Sequence, residues 1–574
     1  MRLRSVSIKN FRALADVTVE LDDTTVLIGE NNTGKTSFLE ALKLCLAQGA
    51  SRRADTFDDY DHHLSADEAQ VGDAGDTEIT LRFAETAISE WPAEVTQAVS
   101  EAIVLDGDLQ QVTLRVKSSK DLTTREMTPT WEFLDAAGNP LRPKRGVTFV
   151  LRDLQQLKPF FYLSAVRDAA REFQPRSSFW GPFLRNPNIA DDVRKQLEEE
   201  LDALNAKVIA ADDKLRDVKE RLEKTGGIVS IRQTDAVTIE AVPGRARDLL
   251  SRAQVSVSGR TGARLPMARH GAGTQSLSVL FLFEAFLSSM LEKLYGPGSV
   301  PIVAIEEPEA HLHPAAARAL WKAISDMPGQ KLIATHSGDL LARVPLSNLR
   351  RFCHNGSGVE VRRLRPGTLD KDDERKMALH VRATRGELLF ARAWLLVEGA
   401  TEVWLFEGAA DVLGLDLERA GVRIVQYAQV MPDPFIRLAD DLGIAWFCLS
   451  DGDSSGQNYR KAACSLLSGR IEAAHVLTIA EQTIEVCMCN AGFGDVFVSE
   501  IAEQKRATIT ATEGDPNYWG QVVAATPNRG KEARAIKVVE EIRKRGPGSV
   551  PPVLKTALES AIRLAMGGQC ASGG

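Results

Sequence analysis

Cysteine is scarce: seven residues among 574, odd in number and scattered, which excludes a disulfide framework. The only close pair, Cys487-Met-Cys489, has no second pair or histidine nearby, so it reads as two small strand residues and not as a metal site. Long apolar runs are missing too, since the most apolar helical stretch, Leu277 to Leu291, is broken by Glu284, which excludes a membrane-spanning helix there. The first residues, Met1-Arg-Leu-Arg-Ser-Val-Ser-Ile8, alternate like a strand and lack the apolar core of a secretory leader, so a cytoplasmic protein is expected. Positive charge is not in excess either. The net charge of -8 does not advertise nucleic-acid binding, but a sum can hide local patches. Basic residues outnumber acidic ones between Arg343 and Arg392, including Arg350-Arg351 and Arg362-Arg363-Leu-Arg365. A second basic run holds Arg529, Lys531, Arg534, Lys537 and Arg543-Lys-Arg545. Either run reads as a nucleic-acid contact or as solvated helix faces. What is left, 44% hydrophobic and 26% charged, is a globular composition in a chain long enough for roughly three or four folding units.

The amino-terminal third carries a phosphate-binding signal. Val26-Leu-Ile-Gly29 reads as a strand, followed by Gly29-Glu-Asn31-Asn32-Thr33-Gly34-Lys35-Thr36-Ser37 and a helical pattern at Phe38, Leu39, Leu42 and Leu46. This is the GxxxxGK[ST] loop in its required strand–loop–helix setting. Its amides and the helix end cradle phosphates, Lys35 reaches the terminal ones, and Thr36 supplies a hydroxyl to magnesium. Pro301-Ile-Val-Ala-Ile305 reads as a buried strand ending in Glu306-Glu307. Glu306 is placed to hold the magnesium through water, and Glu307 to polarise the water attacking the terminal phosphate. A further strand, Lys331 to Ala334, ends in Thr335-His336-Ser337, where His336 can sense that phosphate. His311 and His313 are two apart in a turn and read as structural.

These pieces resemble the ABC-type ATPases of the SMC branch over roughly residues 1 to 390. Lys9-Asn-Phe11-Arg12 is similar to that group's adenine-side element, and His270-Gly-Ala-Gly273-Thr-Gln275-Ser276 to its signature loop, which contacts the ATP of a facing subunit. The loop keeps Gly273 and Gln275 but departs from LSGGQ, and Glu306 stands where most relatives carry Asp. A signature loop working in trans implies that two heads meet.

About 230 residues separate the P-loop helix from that loop, far more than a connection needs. Strand-like runs at Glu78 to Phe83, Val112 to Val116 and Thr130 to Leu134 predict an antiparallel lobe. Val193, Leu197, Leu201, Leu204, Val208, Ala211, Leu215, Val218 and Leu222 then recur at spacings of three and four, and Gly226-Gly227 ends the run. That stripe predicts a helical hairpin arm or coiled-coil interface, with a helix packed inside one subunit as the plainer alternative; a dimerisation arm is favoured because the ATPase already needs a partner.

The last third alternates strand and helix: a strand Leu395 to Glu398, a helix Glu402 to Leu413, a strand Val422 to Tyr427, a helix Phe435 to Leu442 and a strand Ile444 to Leu449. An apolar run that stops at an acid reads as a parallel strand delivering a carboxylate to the carboxyl edge of a sheet. Glu398-Gly-Ala-Thr-Glu402 and Asp451-Gly-Asp453 do this twice. Crowded carboxylates ask for cations.

The pattern LVEGxTE, followed about fifty residues later by LSDGD, resembles the Toprim domain. A P-loop ATPase of the SMC type followed by a Toprim domain resembles the OLD family of bacterial and phage nucleases over nearly the whole chain, including Gabija-like and class 2 members. Phe161-Tyr-Leu-Ser-Ala-Val-Arg167-Asp168 also resembles a family segment, without an assigned role. The resemblance implies a metal-dependent DNA endonuclease governed by an ATPase dimer and acting in phage defence or DNA processing. Glu398, Glu402, Asp451, Asp453 and, further out, Glu485 would hold two divalent ions, Mg2+ or Mn2+, and Lys531, with Lys537 as the alternative, would face the scissile phosphate. All-carboxylate ligation does not suit Zn2+.

The expected fold is α/β: an ABC-type ATPase (1-150 and 266-385) with an antiparallel lobe, an inserted helical arm (151-265) and a carboxyl-terminal Toprim domain (386-574). Expected partners are DNA, a second copy of the chain through the ATPase and arm, and, by the Gabija resemblance, a helicase of the UvrD type. An ATP-driven nucleic-acid sensor without cleavage and a Toprim ribonuclease are the competing readings. ATP could open or occlude the DNA path.

Overall fold

The computed structural model describes residues 1–47, 57–64, 75–120, 127–165, 169–174, 177–185, 189–225, 239, 241–243, 245, 253, 255–258, 264–354, 358–427, 430–527 and 529–567. Arg167, Asp168, Gly226 and Gly227 lie outside them. The chain divides into two compact units, one of Met1–Tyr162, Val300–Glu309 and Pro314–Gly574, the other of Leu163–Ser299 and Ala310–His313.

Among the described residues the first unit holds three sheets. In the antiparallel lobe the strands run in the order Leu14–Glu20, Arg2–Phe11, Thr77–Ala84, Leu109–Lys120 and Ile103–Asp106, with Met127–Leu134 also pairing on Leu109–Lys120. The burial of Thr77–Ala84 alternates, as in a sheet with one face on a core. The nucleotide sheet runs Val359–Arg362, Leu349–His354, Thr24–Gly29, Gln330–Ala334, Ile302–Glu306 and Phe160–Leu163. Its central strands are parallel, and every residue of Thr24–Gly29 and Gln330–Ala334 is buried, because both faces are covered. Gly29 is required where it stands: a Cβ there would lie 2.2 Å from the Phe352 carbonyl oxygen.

The third sheet is wholly parallel, in the order Val422–Gln426, Ala393–Val397, Ala445–Ser450, Val476–Thr478. Helices Ala400–Leu413, Pro432–Leu442 and Ser454–Ser465 make its crossovers, so the alternating pattern of the sequence becomes a Toprim-like α/β unit. Helices Lys531–Arg545 and Pro552–Gly567 then pack on Ala400–Leu413. Gly408 permits that approach, since a Cβ there would lie 2.3 Å from a Val539 methyl.

Two arginines join this sheet to the nucleotide sheet. Buried Arg351, on the strand Leu349–His354, donates to the carbonyls of Leu442, Gly443 and Ala391 at 2.8–3.0 Å. Arg392 forms a two-pronged pair with Glu30 of the phosphate loop, at 2.5 and 2.7 Å.

In the second unit the apolar stripe is carried by two helices. Helix Asp191–Ala211 stops at Asp212, whose φ/ψ of −109°/108° is extended. Its carboxylate accepts from the amides of Lys214 and Leu215, capping a second helix, Asp213–Thr225. Only Leu201 of the first helix is buried, while Val193, Leu204 and Val218 are close to half exposed. The same unit contains the helix Ala272–Ser289, against which Phe179 packs through Phe283 and Phe286. The strand reading of Cys487 and Cys489 is corrected by the structure. They lie in and just after the helix Ile484–Met488 in the first unit, buried in the core, and not on a strand.

Candidate active site

The strand Ala393–Val397 is buried along its length and delivers Glu398 just past its end. Its parallel neighbour Ala445–Ser450 delivers Asp451 at the same edge. Burial in an apolar sheet fixes both backbones and leaves the acids to turn outward at the carboxyl edge. Glu402, in the first turn of Ala400–Leu413, is 5% exposed and accepts from the Gly399 amide at 3.2 Å. Asp453 caps the helix Ser454–Ser465 through the Gly456 amide at 2.7 Å. Gly456 has no room for a side chain, since a Cβ would stand 2.0 Å from the Asp451 carbonyl oxygen. Glu485 enters from the first turn of Ile484–Met488, capped by Thr483. Lys531 opens its helix after left-handed Gly530, and its ammonium stands 3.3 Å from Glu485 Oε1.

All six line one open cleft of about 680 Å³, together with Thr401, Thr483 and Glu532. Lys537 is elsewhere, held by Glu500 at 2.6 Å. Burial, reinforced by the other carboxylates, pushes Asp451 up to about 8. Burial likewise pushes Glu402 up to about 7 and raises Glu398. Among the described residues no three acidic, imidazole or thiol groups are drawn together as a finished cage; the acids line the cleft separately. Among the described residues the buried Glu398 Oε2 has no hydrogen-bond partner, a costly state that a cation would relieve. The donors are all oxygen, which suits Mg2+ or Mn2+.

The nucleotide site forms a second cleft of about 230 Å³, lined by Asn31, Asn32, Thr33, Gly34, Lys35, Thr36, Ser37, Glu306, Glu307 and His336. Lys35 donates to the carbonyls of Gly29 and Glu30 at 2.9 and 2.7 Å, and burial lowers it to about 8. Thr36 Oγ1 donates to Glu306, whose other oxygen accepts from the Tyr162 hydroxyl at 2.8 Å. Glu307 takes a left-handed φ of 43°, a strained geometry for a non-glycine residue. Burial and the neighbouring Glu309 push it up to about 8. His336 lies 3.8 Å from Glu307, and burial lowers its pKa. Arg12 is tied to Asp61 at 2.7 Å in the hairpin whose Leu14 approaches Gly34. Gly273 and Gln275 belong to the second unit. There Gly273 makes room for the His311 carbonyl, and Gln275 donates to the carbonyl of His270 at 2.7 Å.

Two contributors escaped the sequence reading. Tyr162 sits in a segment noted but given no role, and Glu309 accepts from the Thr335 hydroxyl at 2.5 Å. The adjacency of Phe160–Leu163 to Ile302–Glu306, which carries Tyr162 to Glu306, has no local signal in the sequence.

A P-loop head of the ABC type joined to a Toprim unit with an acid-lined edge is the class that this fold and these clefts define. The chain belongs to the family described as "Protein of unknown function (DUF2813)", whose model matches residues 1–387. Residues 389–453 match the "Overcoming lysogenization defect protein-like, TOPRIM domain", so the OLD-type architecture expected from the motifs is present. The chain is 28% identical to "Uncharacterized protein YbjD" of Escherichia coli (strain K12), over 99% of this chain and 100% of that one. It is 26% identical to "OLD nuclease" of Thermus scotoductus (strain ATCC 700910 / SA-01), over 69% and 71%. With "Endonuclease GajA" of Bacillus cereus (strain VD045) it shares 23% identity over 81% and 78%.

Proposed function

We propose that this protein is a divalent-metal-dependent DNA endonuclease whose access to substrate is controlled by ATP at paired ATPase heads, in phage defence or DNA processing. The observation that carries the reading is the unpartnered, buried Glu398 Oε2 at a sheet edge shared with Asp451, in a cleft that also presents a lysine. Relatives named as nucleases support it.

In this reading Glu398, Glu402, Asp451, Asp453 and Glu485 hold two divalent ions. Such ions activate water and neutralise the leaving oxygen of a phosphodiester. The chain's own residues set the stage: the two strands fix Glu398 and Asp451, Gly399 and Gly456 amides orient Glu402 and Asp453, and Lys531 offsets charge gathering on the phosphate. At the other cleft, Lys35, Thr36 and Glu306 hold ATP and magnesium, with Tyr162 orienting Glu306. Glu307 polarises the water that attacks the terminal phosphate, and His336 stands beside it. Phosphodiester hydrolysis at a two-metal site needs no ATP, so the head acts as a gate.

The test is nicking of plasmid, linear DNA, transfer RNA and ribosomal RNA with Mg2+, Mn2+ or Ca2+, with and without ATP. Loss of nicking in Glu398→Ala and Asp451→Ala, with ATPase activity intact, supports the reading. A wild-type protein that cuts no nucleic acid under any metal would leave a sensor, and preference for RNA would replace DNA as substrate.

A further inference from the structure

The basic run between Arg343 and Arg392 separates into two populations. Arg350 and Arg351 are buried ties, 1% and 4% exposed. Arg362, Arg363 and Arg365 are paired with Glu360, Glu20 and Asp441. These five are structural, which corrects the simplest reading of the run as a nucleic-acid contact. Arg343, Lys371, Arg375 and Arg382 behave differently: all four are exposed and, among the described residues, none makes an ion pair. They converge on one groove of about 370 Å³ between residues 342–346 and the helix Lys371–Ala383, with Glu374 as its single lining carboxylate.

On that helix Lys371, Arg375 and Arg382 fall at i, i+4 and i+11, one continuous face. At 1.5 Å per residue the stripe spans about 16 Å, the axial rise of roughly five nucleotides of a strand. In a chain of net charge -8, cations without ion-pair partners gathered along a line attract a polyanion. The stripe is also fixed relative to the acid-lined edge. His380 of the same helix meets Phe435 edge-on at 4.9 Å, and Phe435 meets Trp394 at 6.2 Å, on the strand that precedes Glu398.

We infer that the groove between residues 342–346 and the helix Lys371–Ala383 is a docking track for the phosphate backbone of DNA, with Arg343, Lys371, Arg375 and Arg382 as its contacts. The inference rests on the nuclease reading for its biological sense, but its test is separate. Contacts of this type carry no sequence information; they set register and orientation. Each phosphate neutralised contributes about 0.9 to the slope of log K against log salt.

The experiment measures binding of the full-length chain to a fluorescent duplex in Ca2+ across a salt series, with nicking followed on the same preparations in Mg2+ and Mn2+. Arg375→Gln/Arg382→Gln should weaken binding on the order of tenfold at low salt and reduce the slope by about 2, while Arg375→Lys/Arg382→Lys keeps the slope. ATPase activity reports that the fold is intact. An unchanged slope and affinity in the glutamine variant would overturn the track, as would a wild type that binds no duplex. Wild-type nicking in either case leaves the nuclease reading standing. Conversely, a slope that drops as expected in a protein that never nicks sustains the track and sinks the nuclease. Equal loss in the lysine and glutamine variants would show that the arginines act by packing, and would also overturn it.

Discussion

Replacing Asp451 by Asn removes one of the charges crowded at the Toprim edge, and the consequence for stability runs opposite to the consequence for activity. Burial first, then Glu402, Glu398, Glu485 and Asp453, push Asp451 up to about 8, against an unfolded value of about 3.9. Between about pH 4 and 8 the folded chain holds a proton that the unfolded chain has released, so stability in chelator falls as pH rises through that window and levels off above it. Roughly four pH units at about 1.36 kcal/mol each would cap the penalty near 5 kcal/mol. Sharing among coupled carboxylates and water in an open cleft reduce it to on the order of 1–2 kcal/mol. Asp451→Asn should therefore raise the unfolding midpoint in EDTA at pH 8 by roughly 1–2 °C, with little change at pH 5. Wild type should regain stability with Mg2+, by about 2.7 kcal/mol at a hundredfold excess over Kd, and the variant should regain much less while losing nicking. Thermal unfolding in EDTA and in Mg2+ across this pH range measures all of it. If Asp451→Asn destabilises the chelated protein at pH 8 and Mg2+ protects both proteins equally, the carboxylates are not holding the ion.

Divalent-ion binding at pH 7 should release protons, seen as calorimetric heats that depend on the buffer's ionisation enthalpy, because Glu402 and Asp451 are raised to about 7 and 8; heats independent of buffer would contradict this. Gly408→Ala should drive the helix Lys531–Arg545 away from Ala400–Leu413 and lower nicking at least tenfold, and adding Val539→Ala should restore much of it, since the clash is with Val539 methyls. Arg351→Ala, which strips three backbone carbonyls of a buried donor, should cost about 3–5 kcal/mol in denaturant unfolding. Arg392→Ala, whose partner Glu30 is 40% exposed, should cost under about 1 kcal/mol; equal costs would refute the burial argument. Lys35→Ala should abolish ATP hydrolysis yet leave nucleotide-free nicking, and loss of both would end the division between gate and cutter.

Legibility in the sequence followed the range of the interactions. Glu398 and Asp451 could be read because an apolar run ending at an acid is a local signal, and the structure places them just past the ends of paired strands. Glu485 and Lys531 came only by resemblance, since nothing near either residue says that it joins that edge. The break at Asp212 was readable in principle, an aspartate before a helical turn being a capping signal, but the regular apolar spacing masked it. Tyr162 reaches Glu306 across 144 residues, a pairing of strands that periodicity cannot specify. The basic run failed as a unit because charge alone does not tell a buried tie such as Arg350 from an exposed cation such as Arg375.

The joint made by Arg351 and Arg392 has a bearing on ancestry. A fusion of two independent modules leaves a seam that recombination can cut, with each side whole. Here one side chain from the nucleotide sheet satisfies carbonyls at the turn between Leu442 and Gly443, and another, one residue before a Toprim strand, grips the phosphate loop. A lineage that exchanged either half alone would lose these contacts. The seam thus favours descent of the two halves as one heritable block.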